Sequence, residues 1–129
     1  MIAVDTNVLV RHLTRDDPVQ AEKARSLLAG GGILIRKTVI LETEWVLRHT
    51  YRYSNQQISG AMAGLLDSYG IDVEDVDDVA TAIEATRQGL DFADALHLAG
   101  CSAKRFATFD MNLQRRASRA FAGPEVITP

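Results

Sequence analysis

Four acids stand where a carboxylate does more than solvate a surface: Asp5, Glu42, Asp94 and Asp110. Asp5 closes the apolar run Ile2-Ala3-Val4, and Asp110 follows Arg105-Phe106-Ala107-Thr108-Phe109. Short apolar runs of this kind fill buried parallel strands, and the carboxyl ends of such strands are where open α/β sheets bind ligands. Glu42 lies on a helix read from about Val39 to Tyr51 that is apolar nearly all round. At 100° per residue it falls between Trp45 and Val46, with His49 close by on the same stripe. Asp94 is the third residue of a helix opened by Asp91, and it projects between Leu90, Leu98 and Cys101. Each acid also has a plainer reading: Asp5 or Thr6 as a helix cap, Glu42 as a partly exposed acid beside an arginine. Capping explains Asp91 well and Asp94 poorly.

Four carboxylates gathered in one partly buried site repel unless they take up protons or share a cation. All-oxygen ligands suit hard ions, and an open cluster that keeps waters suits Mg²⁺ or Mn²⁺. Zn²⁺ would want clustered histidines or cysteines. The three histidines, His12, His49 and His97, are scattered; His97, one turn after Asp94, reads as core packing or a supporting contact. A hard divalent ion lowers the pKa of a bound water, orients it for in-line attack on a phosphodiester and neutralises the leaving oxygen. No nucleophilic side chain is then required.

The elements that must position these acids alternate. Asp17-Pro18 starts a second helix through Ala21, Ala24, Leu27 and Leu28, which Gly30-Gly31-Gly32 ends before the strand Ile33-Leu34-Ile35. Thr38 can cap the helix that carries Glu42. Ser54-Asn55-Gln56-Gln57 matches a capping box ahead of Ile58, Met62, Leu65, Leu66 and Tyr69, and Gly70 closes that helix. Ile71 to Glu74 can form a third strand. The acids Asp72, Glu74, Asp75, Asp77 and Asp78 lack the glycine and distant glutamate of a calcium loop, so they read as strand-edge and helix-start acids. A helix through Val79, Ile83 and Thr86 stops near Gly89. The strand Arg105–Phe109, a helix through Leu113 and Ala117, and a strand over Glu125–Thr128 complete the chain. Strands separated by helical segments predict an α/β fold with a parallel sheet and right-handed crossovers. If the first and fourth strands are neighbours where strand order reverses, Asp5 and Asp110 face each other across the crevice.

The composition sets bounds. The chain has 129 residues, enough for one domain with a real core. A net charge of −3 does not announce a nucleic-acid binder. Yet between Lys104 and Arg119 lie Lys104, Arg105, Arg115, Arg116 and Arg119 against the single acid Asp110, a group able to hold phosphates. One cysteine, Cys101, excludes an internal disulfide. No apolar run approaches the roughly 20 residues of a membrane span, and no leader precedes the first strand, so the expectation is a soluble, cytoplasmic protein with no membrane contact.

Along nearly its whole length the chain resembles PIN-domain ribonucleases, and most of all the VapC toxins of bacterial toxin-antitoxin pairs. The resemblance rests on Asp5-Thr6-Asn7, on Glu42 within Leu41-Glu42-Thr43-Glu44-Trp45-Val46-Leu47, on Asp94 within Phe92-Ala93-Asp94-Ala95-Leu96, and on Thr108-Phe109-Asp110. It implies a single PIN domain over residues 1–129: a three-layer sandwich with a central parallel sheet of four to five strands, order 3-2-1-4-5, flanked by helices. It implies a Mg²⁺- or Mn²⁺-dependent endoribonuclease that forms a homodimer and is inhibited by a small VapB-like antitoxin laid into the active-site groove. Asp5 and Asp94 would be the main metal ligands, with Glu42 and Asp110 completing the quartet. Thr6, Asn7 and Thr108 would orient ligands or water, Asp91 would be an added ligand or only the cap, and Arg115 and Arg116 are candidates for substrate binding.

Two other classes stay in view. A catalytically idle PIN-like module would bind RNA or a protein partner without cutting. A receiver-like signalling domain would want an adjacent acidic pair after strand one, an acceptor aspartate after strand three and a lysine after strand five; this chain has Asp5-Thr6-Asn7 and only Pro129 beyond the last strand.

Overall fold

The computed structural model describes all residues, 1–129, as an α/β protein divided into two compact units, Met1–Val76 and Asp77–Pro129. The first unit holds β1 (Ile2–Ala3), α1 (Thr6–Thr14), α2 (Pro18–Ala29), β2 (Ile33–Ile35), α3 (Lys37–His49), α4 (Asn55–Leu66) and β3 (Ile71–Val73). The second holds α5 (Val76–Arg87, whose first residue ends the first unit), α6 (Phe92–Leu98), β4 (Arg105–Ala107), α7 (Met111–Ala120) and β5 (Glu125–Ile127).

In the first unit β1, β2 and β3 form a parallel sheet in that order, with Ile2 opposite Ile33 and Ile33 opposite Ile71. Ile33 and Ile35 are fully buried, as are Leu9 of α1, Ala21 of α2, Ile40 and Leu47 of α3 and Met62 of α4. Burial of each large side chain contributes about 1.5–3 kcal/mol. Asp17 caps α2 by accepting from the Gln20 amide, with Pro18 at the first helical position, and Ser54 and Gln57 form both halves of the capping box on α4. Asp16, in the turn before α2, accepts from the Tyr51 hydroxyl at 2.5 Å and pairs with Arg11 at 3.0 Å, fastening that turn to the end of α3. Gly70 meets a different need from the expected helix stop. Helix α4 ends at Leu66, whereas Gly70 (φ 78°) sits where a Cβ would come within 2.8 Å of the Gly31 Cα, so only glycine lets the turns into β2 and β3 lie together.

The second unit pairs β4 with β5 in parallel, from Arg105 opposite Glu125 to Ala107 opposite Ile127, and α7 packs on β5. Its buried side chains include Val79, Ala82 and Ile83 of α5, Phe92 and Leu98 of α6, and Leu113 and Ala117 of α7. Gly100, at φ 68°, leaves the room that the Asp78 carboxylate fills: a Cβ there would lie 2.3 Å from its Oδ2.

Three expectations change. The single sheet of four to five strands is replaced by three strands and a separate pair, because no hydrogen-bonded ladder joins β1 to β4. β1 has only two residues, and its flanking amides are spent on β2, through Ile2 N to Gly32 O at 2.7 Å and Val4 N to Leu34 O at 3.2 Å. In a ladder alternate residues bond to opposite sides, so a strand this short has almost nothing to offer a second neighbour. Thr38 does not cap α3. The helix begins at Lys37, whose amide donates to Glu74 Oε1 at 3.1 Å from the turn after β3, while Glu74 also pairs with Arg36 at 3.4 Å. The strand read to Phe109 stops at Ala107. No helix is long and apolar enough to cross a membrane.

Candidate active site

In the first unit the peptide leaving β1 turns directly into α1. Asp5 occupies the N-cap position with extended backbone (φ −86°, ψ 163°), yet its side chain accepts no cap hydrogen bond and is exposed. The plain capping role is therefore not the one Asp5 plays. Thr6, the first residue of α1, is buried and donates its hydroxyl to Oε1 of Glu42 on α3, 36 residues away. A buried hydroxyl needs a partner, and this one fixes the orientation of an otherwise exposed carboxylate. Asn7 is exposed and stands with Val8 and Arg11 along the α1–α2 groove.

The surroundings of Glu42 correct the helical-wheel reading. The stripe it shares with Trp45 and His49 faces solvent: Trp45 is 57% exposed, and its ring lies tilted on His49 with centroids 4.7 Å apart. The acid that α3 buries is Glu44, whose side chain is 5% exposed and pairs with Arg48 at 2.7 Å. The signal was the i, i+4 spacing of Glu44 and Arg48. An apolar helix has one face turned to water, and the position of that face follows from packing and not from the order of residues.

In the second unit Asp91 caps α6 by accepting from the Asp94 amide at 3.2 Å. Asp94 is half-buried on the same turn. Burial first, and then the charges of Asp91 and Asp110, hold its carboxyl above the usual carboxylate range, with His97 acting in the opposite sense. Asp110 has a local task as well: its Oδ1 accepts from the amides of Asn112 at 2.9 Å and Leu113 at 3.1 Å, capping α7. The Thr108 hydroxyl oxygen accepts from the Asp110 amide at 3.0 Å, so the backbone that presents this acid is itself anchored. Five basic residues read as one group separate here. Lys104 and Arg105 belong to the β4 end, whereas Arg115, Arg116 and Arg119 share one concave face of α7 with Asn112.

The structure thus joins Glu42 to Thr6 in one unit, and brings the charge of Asp94 under the influence of Asp91 and Asp110 in the other. In neither unit do three or more His, Cys, Asp or Glu side chains close round a point able to hold a metal ion. This excludes a closed cage of the structural-zinc type within either unit. The donor chemistry, all carboxylate and hydroxyl oxygen, fits a hard divalent ion.

Parallel strands linked by helices, with acids at the ends of strands and in first helical turns, define an α/β protein whose oxygen donors stand where such folds bind ligands. A family model described as PIN domain matches residues 2–119, and the chain belongs to that family, whose members are generally metal-dependent nucleases. No curated protein and no solved structure matches the chain significantly.

Proposed function

We propose that this chain is a single PIN domain acting as a Mg²⁺- or Mn²⁺-dependent endoribonuclease that hydrolyses RNA phosphodiester bonds, with Asp5, Glu42, Asp94 and Asp110 as its metal-holding acids. Family membership supports the reaction class. The observation on this chain that carries the reading is Asp94, a half-buried carboxylate whose ionised form is disfavoured by burial and by two acidic neighbours. A divalent cation beside it removes that disadvantage, since a nearby positive charge favours the ionised form. When bound, the cation supplies a water of lowered pKa and charge to offset the leaving oxygen. The chain's own groups orient the ligands: Thr6 holds Glu42 through its hydroxyl, Thr108 anchors the backbone of Asp110, and Asn7 follows Asp5 at the start of α1. Asp5, exposed and bonded to none of the α1 amides, has its lone pairs free for a ligand.

The test is cleavage of a fluorophore-quencher RNA by the full chain. Cutting in Mg²⁺ or Mn²⁺ that stops on EDTA, and is lost in Asp5→Asn and Asp94→Asn with unchanged circular dichroism, is the expected result. Parent-rate cutting by Asp5→Asn, or undiminished cutting in EDTA, overturns it. The idle-module alternative gives RNA binding without any cutting in the same assay.

The VapC-like motifs support a finer reading: the toxin of a type II pair, working in the cytoplasm as a homodimer and inhibited by a VapB-like antitoxin. The expected observation is a small open reading frame immediately upstream with a DNA-binding N-terminal half, whose product binds this chain and stops its RNA cleavage. A product that binds and leaves cleavage unchanged would remove the antitoxin role.

A further inference from the structure

Helix α7 carries Asn112, Arg115, Arg116 and Arg119 at i, i+3, i+4 and i+7, one face of a 3.6-residue helix, and these four line a concavity of about 260 Å³. Of the eight arginines elsewhere in the chain, Arg11, Arg25, Arg36, Arg48 and Arg87 are ion-paired with an acid, and the three that are not, Arg15, Arg52 and Arg105, lie on separate elements. Arg115, Arg116 and Arg119 pair with none. Two of them are held by neutral groups that set their direction and leave their charge intact. Arg115 donates to the Asn112 side-chain oxygen, and Arg116 donates to the Gly89 carbonyl at 2.8 Å. Three like charges gathered on one helical face repel unless an anion joins them, and a guanidinium fork matches phosphate geometry.

The same helix starts at Asp110, and just before it Phe109 is 79% exposed. A large aromatic ring left in water just ahead of a helix with a basic face supplies the two groups that single-stranded nucleic acids use: bases stack on the ring while cations follow the backbone. A duplex stacks its bases internally and has no free face for Phe109. At 1.5 Å per residue, Arg116 and Arg119 lie about 9 and 13 Å along the axis from Asp110. In a stacked strand rising about 3.4 Å per nucleotide, that distance covers roughly three to four nucleotides.

We infer that α7 is a binding track for single-stranded RNA, with Phe109 stacking a base and the Arg115, Arg116 and Arg119 face holding phosphates several nucleotides from Asp110. The track deepens the nuclease reading and rests on it for the choice of RNA and for the role of Asp110. It reads backbone and stacking, so it contributes affinity without sequence preference.

The experiment uses the full chain in EDTA, so that nothing is cut, and a 5′-labelled twelve-nucleotide oligouridylate followed by fluorescence anisotropy over a salt series. Each phosphate contact on a single strand adds about 0.7 to the slope of log affinity against log salt. The triple variant Arg115→Gln, Arg116→Gln, Arg119→Gln is expected to lower that slope by about 2, and the triple lysine variant to keep it. Phe109→Ala is expected to weaken binding about 10-fold with the slope unchanged. An unchanged slope in the glutamine variant overturns the track, as does equal or tighter binding of a blunt duplex of the same length or of polyglutamate. Lost slope in both triple variants assigns these arginines to the packing of α7 and overturns it too. Because binding is read without metal, a parent chain that binds by this track and cuts nothing in Mg²⁺ refutes the nuclease reading alone.

Discussion

The two units hold their acids in different ways. In Met1–Val76 the candidate carboxylates are open: Asp5 caps nothing, and Glu42 is exposed and steadied by the Thr6 hydroxyl. The acid buried in that unit, Glu44, is neutralised by Arg48. In Asp77–Pro129 the acids crowd. Asp91 and Asp110 spend oxygens on helix amides, and Asp94 carries the electrostatic cost of their charges together with its own burial. An acid that performs a structural task has a cation or an amide as partner. Of the four candidate acids, Asp5 and Asp94 have neither, which leaves their carboxylate oxygens open for the proposed ligand.

That contrast breaks first, and by the largest margin, at Glu44. Arg48→Met strands a buried carboxylate, and chemical denaturation should show a loss of about 3 kcal/mol; Glu44→Gln, which removes the charge and keeps a hydrogen bond, should cost about 1 kcal/mol. Equal losses would show that the pair is held by packing and not by charge. Next comes Asp5→Asn, expected to reduce RNA cleavage by at least about 100-fold while leaving the denaturation midpoint where it was. A shifted midpoint would give Asp5 a structural task after all.

Asp110 separates its two tasks. Asp110→Ala should lose about 1 kcal/mol of stability because Asn112 and Leu113 lose their acceptor, whereas Asp110→Asn retains the cap and loses cleavage only. The smallest effect is at Asp94 and is read by pH. A carboxyl whose pKa is raised in the folded state contributes stability that is fully present below its ordinary value near 3.8 and is lost as pH rises through the folded value. Asp94→Asn should therefore melt slightly higher than the parent at pH 7 in EDTA, and the gap should close as the pH falls below the ordinary aspartate range. A gap that persists at low pH would trace to packing, not to charge.

Local rules were legible where one short stretch contains everything that acts. Asp17-Pro18, Ser54 with Gln57, and Asp91 with Asp94 cap their helices as the residues foretell, since the partners lie within three positions. What the sequence by itself determined is the alternation of parallel strands and helices, the acids at strand ends and helix starts, and hence the family. Only the tertiary structure decided which face of α3 meets water, so that Glu42 is open and Glu44 buried. It also decided that Glu74 and not Thr38 caps α3, and that the strands pair as three and two. Such outcomes turn on backbone groups and side chains brought together from 36 or 37 residues apart, as Thr6 to Glu42 and Lys37 to Glu74 are. Hydrophobic period fixes which residues are able to face inward. Which neighbour then claims a given oxygen or amide is settled by the packing of distant elements, and of the four acids first singled out, Asp5 and Asp94 are the two whose carboxylates no hydrogen bond or ion pair claims.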